Sequence, residues 1–245
     1  MQIKTSEERK VSRDTGKTLK NNSGIVVFKP ASVVGIVDSL EAWRAASRLG
    51  PGTVDFLEWR AGCLGGGIPV SKIPWIVTAR HPAEGGCNAR SASVRRALLE
   101  SLLPFAAIVD IEARSLAALR GVLSEAKSRG VRVLVSFHDF KKTPTVGRLR
   151  DVIGEAVDVG ADAVKIATVT SSSCDVARLL ELFRACPLPL AAMGMGPLGM
   201  ASRVLFAGCG SVLNYGWLHR PNVVGQWSAR ELRGLLDKCT MQDRR

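Results

Sequence analysis

The sequence predicts one α/β domain folded as a (β/α)8 barrel. Short apolar runs recur along the chain at fairly even spacing, and a more polar stretch with helical periodicity follows each of them. The runs are continuous rather than alternating, which is typical of parallel strands buried on both faces. The chain has 245 residues, close to the roughly 250 of a typical single barrel. Eight strands in this length favour a closed barrel over an open doubly wound sheet.

The positions of the apolar runs set the strands. We predict them at Val33–Val37, Val54–Arg60, Trp75–Arg80, Ala107–Glu112, Val131–His138, Ala163–Ala167, Leu188–Met193 and Ser211–Tyr215. Three of the helices between them end at a glycine or before a proline. These three are predicted at Leu116–Arg129, Leu149–Val159 and Asp175–Ala185, the last with N-cap oxygens from Ser171, Ser172 or Ser173.

The barrel is predicted to occupy residues 25–245 as a single domain. Residues 1–24 are polar and rich in Lys, Arg, Ser, Thr and Asn, so we interpret them as a basic flexible tail. They contain no apolar stretch that could form the core of a signal peptide, which predicts a cytoplasmic protein. The sequence contains no run of roughly 18 apolar residues, so no membrane span is expected.

The charge and the cysteines narrow the functional classes. The net charge is +12, but Lys and Arg are spread along the whole chain and accompany no nucleic-acid-binding motif, so no nucleic acid partner is expected. A basic balance also suits a small anionic substrate. The six cysteines show no Cys-x-x-Cys pair and no histidine at zinc-ligand spacing. We therefore expect reduced thiols and no metal site.

Polar residues stand at the ends of several predicted strands, where an apolar core would reject them. They include Glu58 and Arg60 in the second strand, Arg80 in the third and His138 in the fifth. In this fold the carboxyl ends of the strands form the active site, so these side chains are expected to converge. Any single one of them is more often a structural salt-bridge partner.

Lys165 lies inside the sixth apolar strand, between Val164 and Ile166. Burial of an ammonium group is costly, and a buried lysine with a lowered pKa can attack a carbonyl group. A core lysine that reaches the rim explains the pattern equally well. His138, whose ordinary pKa lies near neutrality, is the natural general acid/base beside such a lysine. Together with several arginines they indicate an anionic carbonyl substrate, which the spacing does not identify.

These segments resemble the type I 3-dehydroquinase family over nearly the whole chain, from about Ile25 to Leu236. The matching strings, in chain order, are Asp55-Phe56-Leu57-Glu58-Trp59-Arg60, Thr78-Ala79-Arg80, Glu84-Gly85-Gly86, Val109-Asp110-Ile111-Glu112, Ser136-Phe137-His138-Asp139-Phe140, Thr143-Pro144, Gly160-Ala161-Asp162-Ala163-Val164-Lys165-Ile166-Ala167, Met193-Gly194-Met195-Gly196, Ser202-Arg203 and Gly225-Gln226. Each string alone is weak evidence for the family. Their order, spacing and placement on the predicted strands are together specific to it.

The resemblance implies a cofactor-free dehydration of 3-dehydroquinate to 3-dehydroshikimate, a step of aromatic amino acid biosynthesis. It implies an imine on Lys165, His138 as general acid/base, and Glu84 orienting that histidine. The residues implied to bind substrate are Glu58, Arg60, Arg80, Arg203, Asn222, Gln226, Met193 and Met195. Segment His219–Gly225 is the expected lid, and the family resemblance also suggests a homodimer.

Three departures and two alternatives accompany this interpretation. Asn222 stands where family members often have serine, Gly35 stands where some members have serine, and Ala61-Gly62 replaces a Val-Asp pair that follows the second strand. The first alternative is another Schiff-base barrel enzyme, such as an aldolase with a phosphate site at Gly194, Gly196 and Gly199. The second is a non-catalytic barrel that binds metabolites.

Overall fold

The computed structural model describes residues 26–65 and 67–240, and it confirms the (β/α)8 barrel. The strands are β1 Ser32–Val37, β2 Phe56–Arg60, β3 Trp75–Thr78, β4 Ala106–Glu112, β5 Arg132–Asp139, β6 Ala163–Val169, β7 Leu190–Met195 and β8 Leu213–Trp217. The α-helices are α1 Leu40–Ala46, α2 Ala61–Leu64, α3 Ala92–Leu102, α4 Arg120–Ser128, α5 Val146–Asp158, α6 Ser173–Leu182, α7 Gly199–Gly208 and α8 Ala229–Thr240. The predicted tail at residues 1–24 lies outside the described residues.

Parallel pairing runs around the barrel. The strand order is β7-β6-β5-β4-β3-β2-β1-β8, and each neighbouring pair in it is parallel. The remaining seam lies between β7 and β8. It is bridged where the Val212 amide donates to the Leu190 carbonyl at 3.0 Å and the Ala192 amide donates to Ser211 Oγ at 3.2 Å. The carboxyl ends of all the strands therefore meet at one mouth.

Apolar side chains form two cores, one on each side of the strands. The larger lies between strands and helices and includes Leu57, Val109, Val135 and Phe206. The smaller fills the barrel interior. Because side chains of a strand alternate between its two faces, every second residue enters the interior. Towards the mouth, the interior positions of β2, β4, β5 and β6 include polar side chains, whereas those of β7 stay apolar.

Some element boundaries differ from those predicted. Strand β3 ends at Thr78, so Arg80 follows the strand instead of closing it. Helix α4 begins at Arg120 because residues 113–115 form a 3-10 helix first. Helix α6 begins at Ser173, two residues before the predicted start at Asp175, and one of the predicted serines, Ser172, is its N-cap in a reciprocal capping box with Asp175.

The expectation of six reduced thiols is wrong for two cysteines. Cys63 and Cys87, which are 24 positions apart, form a disulfide, whereas Cys174, Cys186, Cys209 and Cys239 are free. The two bonded residues follow neighbouring strands, and the fold rather than the local spacing brings them together. No helix within residues 26–65 and 67–240 is long and apolar enough to cross a membrane.

Candidate active site

The polar interior residues form two layers at the mouth of the barrel. Alternation carries Phe56, Ile108, Leu134 and Ala163 into the apolar interior of their strands. Two residues further along each strand come Glu58, Asp110, Ser136 and Lys165, all buried. Arg60, Glu112, His138 and Ala167 follow two residues later. The period of two therefore carries a set of ionisable groups to one place.

Lys165 lies at the centre of this layer with only 2% of its surface exposed. Its Nζ is 3.2 Å from Asp110 Oδ2, 3.4 Å from Glu58 Oε2 and 3.8 Å from the centre of the Tyr215 ring. Burial lowers the pKa of Lys165 below its ordinary 10.5, and the two carboxylates only partly oppose that effect. The lysine is thus buried in place and does not reach the rim.

The carboxylates near Lys165 are shared with arginines. The ion pairs are Glu58–Arg60 at 2.6 Å, Asp110–Arg80 at 2.7 Å and Glu112–Arg95. Lys165 is a further cation beside the Glu58–Arg60 and Asp110–Arg80 pairs, and the positive charges of Arg80 and Arg60 lower its pKa further. This arrangement favours the neutral amine, which is the nucleophilic form.

His138 and Glu84 form a second unit on the same cavity. The backbone amide and Nδ1 of His138 both lie 2.9 Å from Glu84 Oε2, so Nδ1 is the assigned donor and Nε2 is left free as a base. Burial, with Arg80, Lys165 and Arg60 adding to it, holds the pKa of His138 well below its ordinary value. Burial raises the pKa of Glu84 to about 7. Arg114 Nε pairs with the other oxygen of Glu84 at 3.0 Å.

Arg203, on α7, is buried and lines the cavity. It is 3% exposed, its Nη1 donates to the Tyr215 carbonyl at 3.0 Å, and its Nε has no hydrogen-bond partner among the described residues. Burial lowers the pKa of Arg203 to about 10, which still leaves it charged at neutral pH. A buried guanidinium without a carboxylate partner suits an anionic ligand.

The cavity has a volume of about 250 Å³. Its lining includes the predicted residues Arg60, Glu84, His138, Lys165, Met193, Met195, Arg203, Asn222 and Gln226. Met193 and Met195 are also part of the apolar barrel interior. Glu58 and Arg80 lie directly behind the lining, where Arg80 Nη1 is 3.4 Å from His138 Nδ1. All the residues predicted to form the site therefore lie at this mouth.

The expected lid segment crosses the opening of the cavity. The backbone amide of Asn222 donates to Gln226 Oε1 at 2.9 Å. The side-chain Nδ2 of Asn222 donates to Oδ2 of Asp38, which lies just beyond the end of β1. The base of the segment is fixed where the Gly196 amide donates to the Val224 carbonyl at 2.8 Å. Asn222 thus connects the lid segment to the end of β1, the strand next to β8.

Four residues at the site were assigned no specific role from the sequence, although Asp110 is one of the polar residues near the end of its predicted strand. Asp110 and Ser136 belong to the same period-two pattern as Lys165, and Ser136 Oγ accepts from Arg80 Nη1 and donates to Asp110 Oδ1, both at 2.6 Å. Tyr215 covers the lysine, and Asp38 holds Asn222. The alternation could have revealed Asp110 and Ser136, whereas the other two depend on tertiary contacts.

The departures from the family pattern have local explanations. A Cβ atom on Gly35 would lie 3.0 Å from the Leu218 side chain, so this position packs against the start of the lid segment. The Gly62 carbonyl accepts from Asn88 Nδ2 at 3.0 Å and from Arg90 Nε at 2.9 Å. The next residue, Cys63, carries the disulfide. The segment after β2, which lacks the carboxylate of the Val-Asp pair, is therefore held by these two hydrogen bonds and by the disulfide.

The model of the type I 3-dehydroquinase family matches residues 34–243, which is most of the chain. The chain belongs to the type I 3-dehydroquinase family. A 3-dehydroquinate dehydratase of Methanothrix thermoacetophila is 32% identical over 216 residues, covering 86% of this chain and 92% of that protein. Another from Thermococcus gammatolerans is 32% identical, covering 83% and 97%. The structure of the 3-dehydroquinate dehydratase from Aquifex aeolicus superposes with a TM-score of 0.73 at 27% identity, covering 84% of this chain and 98% of that one.

Proposed function

We propose that this protein is a 3-dehydroquinate dehydratase that converts 3-dehydroquinate to 3-dehydroshikimate through an imine on Lys165. Family membership and the names of its relatives support the reaction. The observation that carries the mechanism is the buried Lys165 amine, which faces a cavity that also holds the His138–Glu84 pair and Arg203, whose Nε has no hydrogen-bond partner among the described residues. The enzyme is a hydro-lyase.

The reaction begins with attack of the neutral Lys165 amine on the substrate ketone. Loss of water gives a protonated imine, which withdraws electrons and makes the adjacent carbon–hydrogen bond acidic. Glu58 and Asp110, at 3.4 and 3.2 Å from Nζ, stabilise the positive charge of the iminium ion. No group of three or more metal-ligating side chains occurs within the described residues.

His138 removes the activated proton through Nε2. Its Nδ1–H, held by Glu84, fixes the ring in the orientation and tautomer that a base requires. The imidazolium formed then donates its proton to the departing hydroxyl group, which leaves as water. Hydrolysis of the product imine returns Lys165 and restores the starting protonation states.

Binding of the substrate is assigned to the cationic rim of the cavity. Arg203 is proposed to hold the carboxylate, and Gln226 and Asn222 to close over it from the lid. Arg60 is proposed to contact the ring hydroxyls of the substrate. Glu58 and Arg80 are proposed to hold the side chains of the site in position from behind the cavity lining. Met193 and Met195 supply an apolar wall.

The two alternatives are not favoured. The matched family model is that of dehydroquinases, and it spans residues 34–243. The groups that the chemistry requires, namely Lys165, His138 and Glu84, are all present at one cavity, which argues against a purely binding role.

Turnover of 3-dehydroquinate, followed by the ultraviolet absorbance of the conjugated product, tests the proposal. We expect the wild type and a Lys238→Met control, altered at an exposed lysine of α8, to turn over equally. Lys165→Met should lose at least about 10⁴-fold in kcat, because the covalent route is closed. Borohydride added during turnover should fix the substrate carbon skeleton to the Lys165 peptide as a secondary amine. Turnover by Lys165→Met would disprove the imine, and none by the wild type would disprove the reaction.

The cytoplasmic location and the homodimer stay predictions. A reaction of amino acid biosynthesis supports the cytoplasm. Light scattering at micromolar concentrations would measure the mass of the assembly, for which we expect twice the 26.2 kDa of the chain.

A further inference from the structure

The Cys63–Cys87 disulfide lies at the edge of the proposed active site. Cys63 is the third residue after Arg60, and Cys87 is the third after Glu84. Both cysteines line the cavity and both are half-buried. The bond therefore joins the segment that leaves β2 to the one that follows β3, beside the groups that are proposed to act on substrate.

Within the described residues, two hydrogen bonds also join these segments, and both end on one backbone atom. Asn88 and Arg90 both donate to the Gly62 carbonyl, at 3.0 and 2.9 Å. Asn88 is exposed and Arg90 half-buried, so water competes for these bonds. Position 62 has no side chain that could accept from Arg90. The disulfide adds a covalent connection between the segments.

The turn between Arg80 and Cys87 transmits the position of Cys87 to Glu84. The amides of Glu84 and Gly86 both donate to the His81 carbonyl, at 2.9 and 3.0 Å. The turn is so close to β3 that a Cβ atom on Gly86 would lie 2.1 Å from the Arg80 carbonyl oxygen. A displacement of Cys87 therefore moves Glu84 as part of one compact unit, and Glu84 in turn fixes both the backbone and the ring of His138.

We propose that the Cys63–Cys87 disulfide is a positioning element for the dehydratase reaction, which holds Glu84 against His138 and makes turnover depend on the oxidised state of this pair. The inference rests on the proposed function. Opening the bond frees the Glu84 turn from the β2 segment, and water enters around the carboxylate. Lys165 and Arg203 stand on other elements, so substrate binding changes less than turnover.

Opening and closing the bond require a partner of defined chemistry. A dithiol supplies two electrons and two protons, the sulfur–sulfur bond breaks into two thiols, and the dithiol is itself oxidised to a disulfide. Half-buried sulfurs at a cavity mouth are within reach of such a reagent. Disulfides in cytosolic proteins are usually catalytic or redox-sensing rather than structural.

The experiment compares oxidised and reduced protein with matched cysteine variants. Thiols are counted in denatured, unreduced protein, for which we expect four of the six cysteines to react. Steady-state kinetics then give kcat, KM and the pH profile before reduction with dithiothreitol, after it, and after reoxidation. The Cys63→Ser/Cys87→Ser double variant removes the bond, and the Cys174→Ser/Cys209→Ser/Cys239→Ser triple variant removes exposed free thiols as a control.

We expect reduction to lower kcat by about tenfold or more, as small misplacements of acting groups do, while KM changes by less than about threefold. Because burial is the leading cause of the raised pKa of Glu84, its hydration should move the acid limb of the pH profile from near 7 to lower pH. Reoxidation should restore both. The double serine variant should have the kcat and pH profile of the reduced wild type, and dithiothreitol should not change them. The triple variant should behave as the wild type.

Several outcomes would overturn the proposal. Six reactive thiols before reduction would show that the bond does not form. If reduction lowers the unfolding temperature but leaves kcat and the acid limb unchanged, the bond acts only as a stabilising crosslink. If the double serine variant is unfolded, Cys63→Ala/Cys87→Val, which keeps an apolar contact without the bond, replaces it. An oxidised wild type without turnover would overturn the proposed function and this inference together, whereas equal turnover of both forms would overturn the inference alone.

Discussion

At the scale of single residues, burial sets the charge of the groups proposed to react. It is the leading cause of the lowered pKa of Lys165, the lowered pKa of His138 and the raised pKa of Glu84. Each shift favours the neutral form of its group. A neutral amine and a neutral imidazole are the nucleophile and the base that the reaction needs. The cost of burial therefore prepares the site for chemistry near neutral pH.

The pH profile of kcat/KM should show an acid limb near pH 7 that depends on Glu84. The pKa of this carboxyl is raised to about 7, whereas that of His138 lies well below 6.5, so the pair takes up its first proton on Glu84. A protonated Glu84 donates to Nδ1 and leaves the hydrogen on Nε2, which is then no base. Glu84→Gln should lower kcat by about 10–100-fold and move the limb well below pH 6.5. A limb that stays near 7 in the variant would assign it to another group.

The same substitution should change the pH dependence of stability. A carboxyl whose pKa rises on folding from 4.5 to about 7 stays protonated in the folded state while the unfolded chain ionises. The free energy of unfolding therefore falls as pH rises through this interval, by at most about 3 kcal/mol. Urea unfolding at pH 5 and at pH 8 should show this fall in the wild type and a smaller one in Glu84→Gln. Equal falls in the two proteins would contradict it.

The residues of the site were visible in the sequence to the extent that they broke an apolar pattern. Lys165 and His138 stand in apolar strands, and the family resemblance supplied Glu84 and Arg203. Asp110 carries the same pattern, yet its role depends on which charges it meets. The Cys63–Cys87 bond could not be predicted, because it depends on the relative position of helix α2 and of the segment that follows β3.

At the scale of elements, the lid segment depends on a close approach of backbones. Gly225 has a φ of +78°, and a Cβ atom on it would lie 2.3 Å from the Gly196 carbonyl oxygen and 2.9 Å from the Gly199 Cα. Only glycine can adopt this positive φ and also approach Gly196 and Gly199 this closely without a shift of the backbone. The base of the lid is thereby packed against the loop between β7 and α7, next to Gln226.

Gly225→Ala should therefore impair lid closure. We expect a rise in KM of about tenfold and a loss of about 1–3 kcal/mol in the free energy of unfolding. Gly154→Ala is the matched control, since Gly154 is an exposed helical position in α5 where a Cβ atom meets nothing within 4 Å. It should raise stability by about 0.5–1 kcal/mol and leave KM unchanged. An unchanged KM in Gly225→Ala would remove the lid from substrate binding.

The elements themselves were predicted well in type and less well in extent. Continuous apolar runs identify strands that are covered on both faces, and the eight runs correspond to the eight strands. Strands β6 and β7 run on to Val169 and Met195, beyond their predicted ends, because pairing with neighbours continues after the hydrophobic signal weakens. Arg80 lies outside its strand because the chain turns at once into the 3-10 helix Pro82–Glu84.

At the scale of the whole molecule, the closed ring of strands explains why one mouth gathers groups from distant parts of the chain. Lys165 Nζ and Glu58 Oε2 are 3.4 Å apart across 107 positions of sequence. Such contacts form because the sheet curls until β2 and β6 face each other, and the ring is completed by β1, β8 and the seam between β7 and β8. Strand β1 has β2 as one neighbour and β8 as the other. The active site therefore depends on β1, because the ring of strands that forms the site is incomplete without it.

Truncation from the amino terminus should locate that limit. Val26 and Phe28 pack against the barrel interior, and β1 begins at Ser32, so removal of residues 1–24 should leave kcat, KM and the unfolding temperature unchanged. Removal of residues 1–30 takes away Val26 and Phe28 and should cost about 2 kcal/mol, with kcat kept at temperatures below the new midpoint. Removal of residues 1–38 deletes β1 and should give no folded protein. Thermal unfolding and turnover of the three truncated chains decide the matter, because a loss of activity in the first would place residues 1–24 in the catalytic unit rather than in a separate tail.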